Sequence, residues 1–172
     1  MIPSTVLHQS RWFAIRTDAA GEEFLASTGD EVLVVPVTAA GEVILTVEPS
    51  TAFGEPTLIL PGGEVKPGVA HEEQANQELQ EEIGYRAGRL DFLGELRPWS
   101  KYLAVRSFVY LGRELSESWL PGDEGYEIGV ERVPLVAFET LIAAGRLTDA
   151  RAIAALCLAR GFLAGDNPTS GR

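Results

Sequence analysis

The sequence predicts an α/β protein of the α+β type, in which a mixed sheet is covered by helices and preceded by a small β hairpin. Three observations predict it. β-branched apolar runs stand at 31–38 (EVLVVPVT) and 42–48 (EVILTVE). A helical pattern at 70–83 is enclosed by strand signals on both sides. Two further helical segments follow after residue 134. Strands and helices in that order fit a sheet with helices packed against it. The 172 residues suit one domain, and 45% hydrophobic residues supply a core.

At the N-terminal end, 11–17 (RWFAIRT) and 22–27 (EEFLAS) flank DAAG and read as a hairpin. The runs 31–38 and 42–48, joined through AAG, read as a second hairpin. Pro36 within the first run has no N–H for a ladder and suggests an edge or a bulge. TLIL at 57–60 leads into Pro61-Gly62-Gly63, read as a turn. In the helix at 70–83, Ala75, Leu79 and Ile83 recur every four residues as a buried stripe, and Gly84 ends it. His71, Glu72 and Glu73 occupy its first turn, where negative charge suits the helix dipole. Strands are expected at 89–96 and 104–111, then an acidic loop at 119–131 (WLPGDEGYEIGVE). Helices are expected at 134–144 and 149–163, the second with Ala152, Ala155, Leu156, Ala159 and Leu163 on one apolar face. The domain reading is a hairpin over 1–28, a main domain over 29–165 and a polar tail, 166–172.

Composition excludes several functions. A net charge of −11 argues against binding a nucleic-acid backbone. No stretch is apolar enough to span a membrane, and the start of the chain lacks a basic segment followed by an apolar one, so a cytoplasmic protein is expected. The single cysteine, Cys157, cannot form an intrachain disulfide, and AIAALCLARGF reads as a buried helix face rather than a reactive thiol. His8 and His71 have no metal-ligand spacing, and Arg86 and Arg89 read as solvent-facing.

The informative segment is 61–85, PGGEVKPGVAHEEQANQELQEEIGY. Glu78, Glu81 and Glu82 follow at i, i+3 and i+4. At about 100° per residue they share less than about a third of the helix circumference. Like charges so placed repel, which a solvated face tolerates and a divalent cation relieves. Carboxylate-bound Mg²⁺ completes its shell with waters and phosphate oxygens, so the trio points toward phosphate chemistry.

This segment resembles the Nudix hydrolases, whose pattern is Gly, five residues, Glu, seven residues, then Arg-Glu-apolar-x-Glu-Glu-x-Gly-apolar. Gly63, Glu78, Leu79, Glu81, Glu82, Gly84 and Tyr85 fall at that spacing behind Pro61 and Gly62. The order of hairpin, box, strands, acidic loop and final helices over 11–165 is similar to the ADP-sugar pyrophosphatase branch and its ADP-compound hydrolases. Val69 stands in place of the pattern's Glu, and Gln77 in place of its Arg. In that family the Arg orients the first helix carboxylate and the Glu supports the metal site from the loop. Ser100 occupies the place of a proline usual in ADP-ribose-type enzymes, with Pro98 nearby.

The resemblance implies a Nudix fold and a pyrophosphatase in which Glu78, Glu81, Glu82 and the Gly62 carbonyl hold Mg²⁺ or Mn²⁺, with Glu81 and Glu82 also counted as catalytic. The substrate expected is a nucleoside diphosphate linked to another moiety, ADP-ribose or a related ADP compound first. Alternatives are a GDP- or CDP-sugar hydrolase and a nucleotide-sensing module with little catalysis, the latter motivated by Val69 and Gln77. Glu124 and Glu127 in the acidic loop are candidates for the general base, ahead of Asp123 and Glu131, against the reading of an ordinary solvated loop. Arg97, Lys101 and Arg106 are candidates to clamp phosphates. Tyr102 and Trp99 are candidates to stack on the substrate, against packing roles. Trp12 and Phe13 are expected at a homodimer contact, as related enzymes are dimers built partly through that segment.

Overall fold

The computed structural model describes residues 3–122 and 124–165; Asp123 and the expected tail at 166–172 lie outside the described residues. The strands are β1 (Thr5–Gln9), β2 (Phe13–Thr17), β3 (Glu23–Ser27), β4 (Glu31–Pro36), β5 (Glu42–Pro49), β6 (Pro56–Ile59), β7 (Gly62–Glu64), β8 (Tyr85–Leu96), β9 (Leu103–Ala104), β10 (Ser107–Glu117) and β11 (Gly129–Pro134). Helix α1 (His71–Glu78) continues into a π-helical turn, Leu79–Ile83. A 3₁₀ turn (Leu135–Ala137), α2 (Glu139–Ala143) and α3 (Ala150–Leu163) follow the last strand.

The expected first hairpin is β2–β3, and it belongs to a larger N-terminal sheet ordered β1-β2-β3-β9. β1 was not anticipated because its five side chains are all exposed and carry no apolar alternation. The short β9 runs parallel to β3, and Leu25 N–H donates to the Tyr102 carbonyl at 2.8 Å, so the 97–104 segment is bound to this sheet.

Two sheets form the main body, ordered β7-β4-β10-β8 and β11-β5-β6. β4 and β10 run parallel while their other neighbours are antiparallel, the mixed arrangement expected. The run VLVV in β4 is buried on both faces, as an inner strand covered on two sides must be. Leu33, Val35 and Val37 join Leu45, Val109, Leu111 and Phe138 beneath α3. Val32 and Val34 join Ile44, Ala75, Leu79, Ile83 and Tyr110 beneath α1. Alternation along single strands thus feeds two cores on opposite faces.

The second hairpin does not form as expected. β4 and β5 are joined by a tight turn, with Gly41 N–H donating to Thr38 O at 2.9 Å, but beyond the Val37–Val43 bridge they diverge into different sheets. Pro36 ends β4 opposite Gly112, past the last β7 partner at Leu33, so its missing N–H leaves no ladder bond unmade. Pro61-Gly62-Gly63 is likewise not a simple turn. It carries the chain from one sheet to the other, and Gly62–Glu64 pair with Leu33–Glu31 as β7.

The helix expected at 134–144 is broken. Thr140 Oγ1 donates to Ala137 O at 2.7 Å, and Leu141 N–H turns to Phe138 O at 3.0 Å, so a short 3₁₀ segment precedes α2. α3 begins at Asp149, whose carboxylate accepts from Ala152 N–H at 2.8 Å. Ala152, Ala155, Leu156 and Ala159 are buried, but Leu163 in the last turn is exposed and Phe162 packs on the core instead. Cys157 is exposed, a correction to the buried face expected: it follows Leu156 by one residue and so points about 100° away from it. Among the described residues no helix is long and apolar enough to cross a membrane.

Candidate active site

The segment 62–84 builds a cleft from both of its ends. Ala75, Leu79 and Ile83 are buried as the periodicity requires. The expected α-helix, however, changes to π-helical bonding at Leu79, and Gly84 N–H reaches back five residues to Leu79 O. Gly84 has φ 73°, and the Trp119 ring lies where a Cβ would stand, so no other residue fits without strain. The π turn leaves the Gln80 carbonyl to accept from Leu120 N–H at 3.2 Å, which pins the start of the acidic loop.

Glu78 and Glu82 are buried where this helix borders β7. Gly62 N–H donates to Glu82 Oε2 at 3.3 Å. A Cβ on Gly63 would stand 2.7 Å from Glu78 Oε1, so glycine permits the strand to pass this close to the carboxylate. Gln74, fully buried, donates from Nε2 to Glu78 Oε1 at 2.6 Å and accepts Lys66 N–H at 3.2 Å. Gln77 donates to Glu81 Oε1 at 2.7 Å. Two of the three glutamates are therefore each held by an amide one turn earlier.

Burial pushes the Glu78 carboxyl up to about 7, opposed by the Gln74 bond and reinforced by the charges of Glu81 and Glu124. Burial pushes Glu82 up to about 10, reinforced by the charges of Glu48 and Glu78 and opposed by the Gly62 N–H. Desolvation with like charges nearby is the condition a bound cation relieves. The donors are hard carboxylate oxygens, which suit Mg²⁺ or Mn²⁺. Among the described residues no three such groups close into a ready-made cage.

The cleft has a volume of about 400 Å³, and Arg11, Trp12, Lys66, Glu78, Glu81 and Glu124 are among its lining residues. Of the loop candidates, Glu124 thus reaches it, while Glu127 is exposed and off the lining, and Glu131 pairs with Arg146. Within one chain the expected phosphate clamp does not. Arg97 pairs with Glu95 at 2.7 Å, and Arg106 pairs with Asp30 through two bonds of 2.9 and 2.7 Å. Lys101 lies 4.9 Å over the Tyr102 ring, and both line a separate hollow with Asp18, Glu22 and Glu23. Trp99 packs edge-on against Tyr102 at 5.2 Å.

The cleft's cations are instead Lys66 and Arg11, which sequence reasoning passed over. Arg11 stacks 4.3 Å over Trp12, a residue expected only at a dimer contact. Lys66 carried a signal, two residues beyond a strand that touches the glutamates; Arg11 carried none, because its approach depends on how the N-terminal sheet docks. Gln74 did carry a signal, standing one turn before Glu78 at i, i+4, whereas Glu48 and Tyr126 carried none because they reach the site from β5 and from the acidic loop. His71 stacks on Phe108 at 4.2 Å, and Arg89 is exposed beside Asp91.

Comparison with known proteins agrees with this geometry. A family model described as the NUDIX domain matches residues 28–156. The ADP compounds hydrolase NudE of Escherichia coli (strain K12) is 29% identical over 144 residues, covering 84% of this chain and 77% of that protein. A crystal structure of an ADP compounds hydrolase superposes with a TM-score of 0.83 at 26% identity, over 95% of this chain and 93% of that one.

Two outcomes follow from the site. The folded carboxyls of Glu78 and Glu82 hold protons that an unfolded carboxyl, near 4.5, releases. Their contribution to stability is full below about 4.5 and is lost as pH rises through about 7 and then about 10. Metal-free protein should therefore melt at falling temperature from about pH 5 to pH 9, with a slope of up to about 1.4 kcal/mol per pH unit per proton. Mn²⁺ should raise Tm more at the alkaline end; a flat profile, or an equal gain at both ends, would refute this. Second, because Gln74 and Gln77 already hold Glu78 and Glu81, Val69→Glu with Gln77→Arg should raise kcat/KM by less than about threefold, against the roughly 10–100-fold expected if a support were simply missing.

Proposed function

The chain belongs to the NUDIX domain family and is a Nudix pyrophosphatase, and from that premise we propose that it hydrolyses the pyrophosphate bond of a nucleoside diphosphate joined to another moiety, an ADP compound such as ADP-ribose first, with Mg²⁺ or Mn²⁺. The observation that carries this reading is a cleft lined by buried Glu78 with Glu81, Arg11 and Lys66, with buried Glu82 held directly behind its Gly62 wall. The resemblance to ADP compounds hydrolases supports the choice of substrate.

In this reading Glu78, Glu81, Glu82 and the Gly62 carbonyl hold the divalent cation. Once bound, it neutralises pyrophosphate charge and lowers the pKa of a coordinated water. Gln74 and Gln77 keep Glu78 and Glu81 turned toward the cleft by the bonds described above. Lys66 and Arg11 take the phosphate oxygens the cation leaves exposed. Trp12, half exposed with one face under Arg11, stacks with the nucleoside or the second moiety. Glu124 accepts the proton of the water that attacks phosphorus, as a carboxylate at the cleft wall supplied by a loop rather than by the ligand-bearing helix.

The N-terminal sheet exposes Val6, Leu7, Phe13 and Ile15, which supports a homodimer formed through that sheet. Sedimentation equilibrium should give twice the chain mass, falling to one on Phe13→Asp with Ile15→Asp; a monomeric parent protein would refute the dimer.

Purified protein with Mg²⁺ should release AMP from ADP-ribose faster than it cleaves GDP-mannose, a CDP-linked alcohol or a dinucleoside polyphosphate. Glu82→Gln should reduce that turnover by at least about 100-fold while leaving the circular dichroism spectrum unchanged. No product from any compound would sink the hydrolase reading, and tight calorimetric binding without turnover would mark a sensor instead.

A further inference from the structure

The loop at 118–128 runs from β10 to β11 past the glutamate cleft, and it is tied down at both ends by different means. At its start Ser118 N–H donates to Gly84 O at 2.9 Å, Leu120 N–H to Gln80 O at 3.2 Å, and Gln80 Nε2 to Ser118 Oγ at 2.8 Å. Two of these bonds are made to Gln80 in the π turn that carries Glu81 and Glu82, and the third to Gly84, which caps it. At its end Gly129 enters the ladder opposite Val47 of β5. Between those ends a side-chain tether reaches the sheet: the Tyr126 hydroxyl donates to Glu48 Oε2 at 2.9 Å. The other oxygen of Glu48 accepts the Thr46 hydroxyl at 2.9 Å, and Thr46 is fully buried, so the acceptor is itself fixed.

Tyr126 is 45% exposed, so burial is a weak reason for a tyrosine here. Its hydroxyl makes a charge-assisted bond, worth more than a neutral one. Glu124, which lines the cleft, sits two residues before Tyr126 and four after Leu120, in the short span between the two anchors.

We propose that Tyr126, seated on Glu48, is a positioning residue that fixes the 118–128 loop so that Glu124 stays at the wall of the glutamate cleft. This rests on the reading of Glu124 as the general base. The tether acts through loop geometry, not through contact with substrate, so it belongs to kcat rather than to KM. It joins the loop to β5 and not to the π turn, so loosening it leaves the Gln74, Gln77 and Gly62 bonds to the three glutamates in place.

Tyr126→Phe keeps the ring and removes only the donor. With ADP-ribose and Mg²⁺ its kcat should fall by about 10-fold or more, the scale seen when an orienting group is lost. KM, and Mn²⁺ affinity read by electron paramagnetic resonance, should stay within about twofold. In a Glu124→Gln background the same change should lower kcat by less than about twofold, because the group it orients is already gone. Hydrogen–deuterium exchange over 119–128 should quicken in Tyr126→Phe, with the 71–84 segment unchanged. A full additional loss in the Glu124→Gln background, a change confined to KM, or unchanged loop exchange would each overturn the proposal. Should Glu124→Gln retain wild-type kcat, the base assignment fails and so does the positioning role; faster loop exchange in Tyr126→Phe would then show a structural tether alone.

Discussion

Everything around the cleft depends on two carboxylates being kept out of water. Glu78 and Glu82 are both buried where a helix meets a strand, and each is pushed up by desolvation and by the other acids nearby. A fold does not hold such groups for stability, since burying an unpaired carboxylate opposes folding. In the metal-free fold protons relieve that cost, and under the proposed function a cation between them would do so instead. The chain offers no arginine from the helix for that purpose; it offers glutamine amides, a backbone N–H and an opening toward the cleft. The frustration is therefore directed outward, toward a ligand that carries charge.

The π turn lets one helix satisfy two demands. Its buried stripe, Ala75, Leu79 and Ile83, must stay on the sheet, while Glu78 and Glu81 line the cleft and the acidic loop must dock. An uninterrupted α-helix would engage the Gln80 carbonyl in its own ladder. The wider turn leaves it to the loop, and Gly84 ends the helix against Trp119. Local irregularity of this kind recurs at functional sites because it re-aims groups that regular bonding would hold elsewhere.

Much of the fold was legible because periodicity is local. The β-branched run of Val32–Val35, the stripe Ala75, Leu79 and Ile83, and the apolar face of the final helix are short-range facts, and each appears in the structure. The misreadings share a cause. Joining β4 to β5 as a hairpin looked sound from AAG, but their divergence into separate sheets is decided by β10 and β11, more than sixty residues away. Reading Pro61-Gly62-Gly63 as a turn took glycine as flexibility, when Gly63 serves close approach to Glu78. The glutamates were legible from spacing, but Arg11 and Glu48 were not, because they arrive from a separate sheet and from another strand. Arg97 and Arg106 stood nearer in the sequence yet found acidic partners of their own.

The two departures from the family pattern gain a physical sense together that neither has alone. The pattern places an acid where Val69 stands and a base where Gln77 stands. Losing only the base would leave the cleft with an extra uncompensated negative charge; losing only the acid would leave an arginine competing with the cation for Glu78. With both gone the local charge is unchanged. What the family pattern would supply there is an ionic support; in this chain two amide donors from the same helix bond Glu78 and Glu81 at 2.6 and 2.7 Å. Amides orient a carboxylate without neutralising it, so the glutamates keep their full demand for an external cation. In a chain of net charge −11 that demand also governs access. Under the proposed function, a diphosphate approaching the cleft would meet Lys66, Arg11 and the cation that the glutamates would hold. Under the proposed function, the neutral amide scaffold would thus make the cation the condition for substrate to enter.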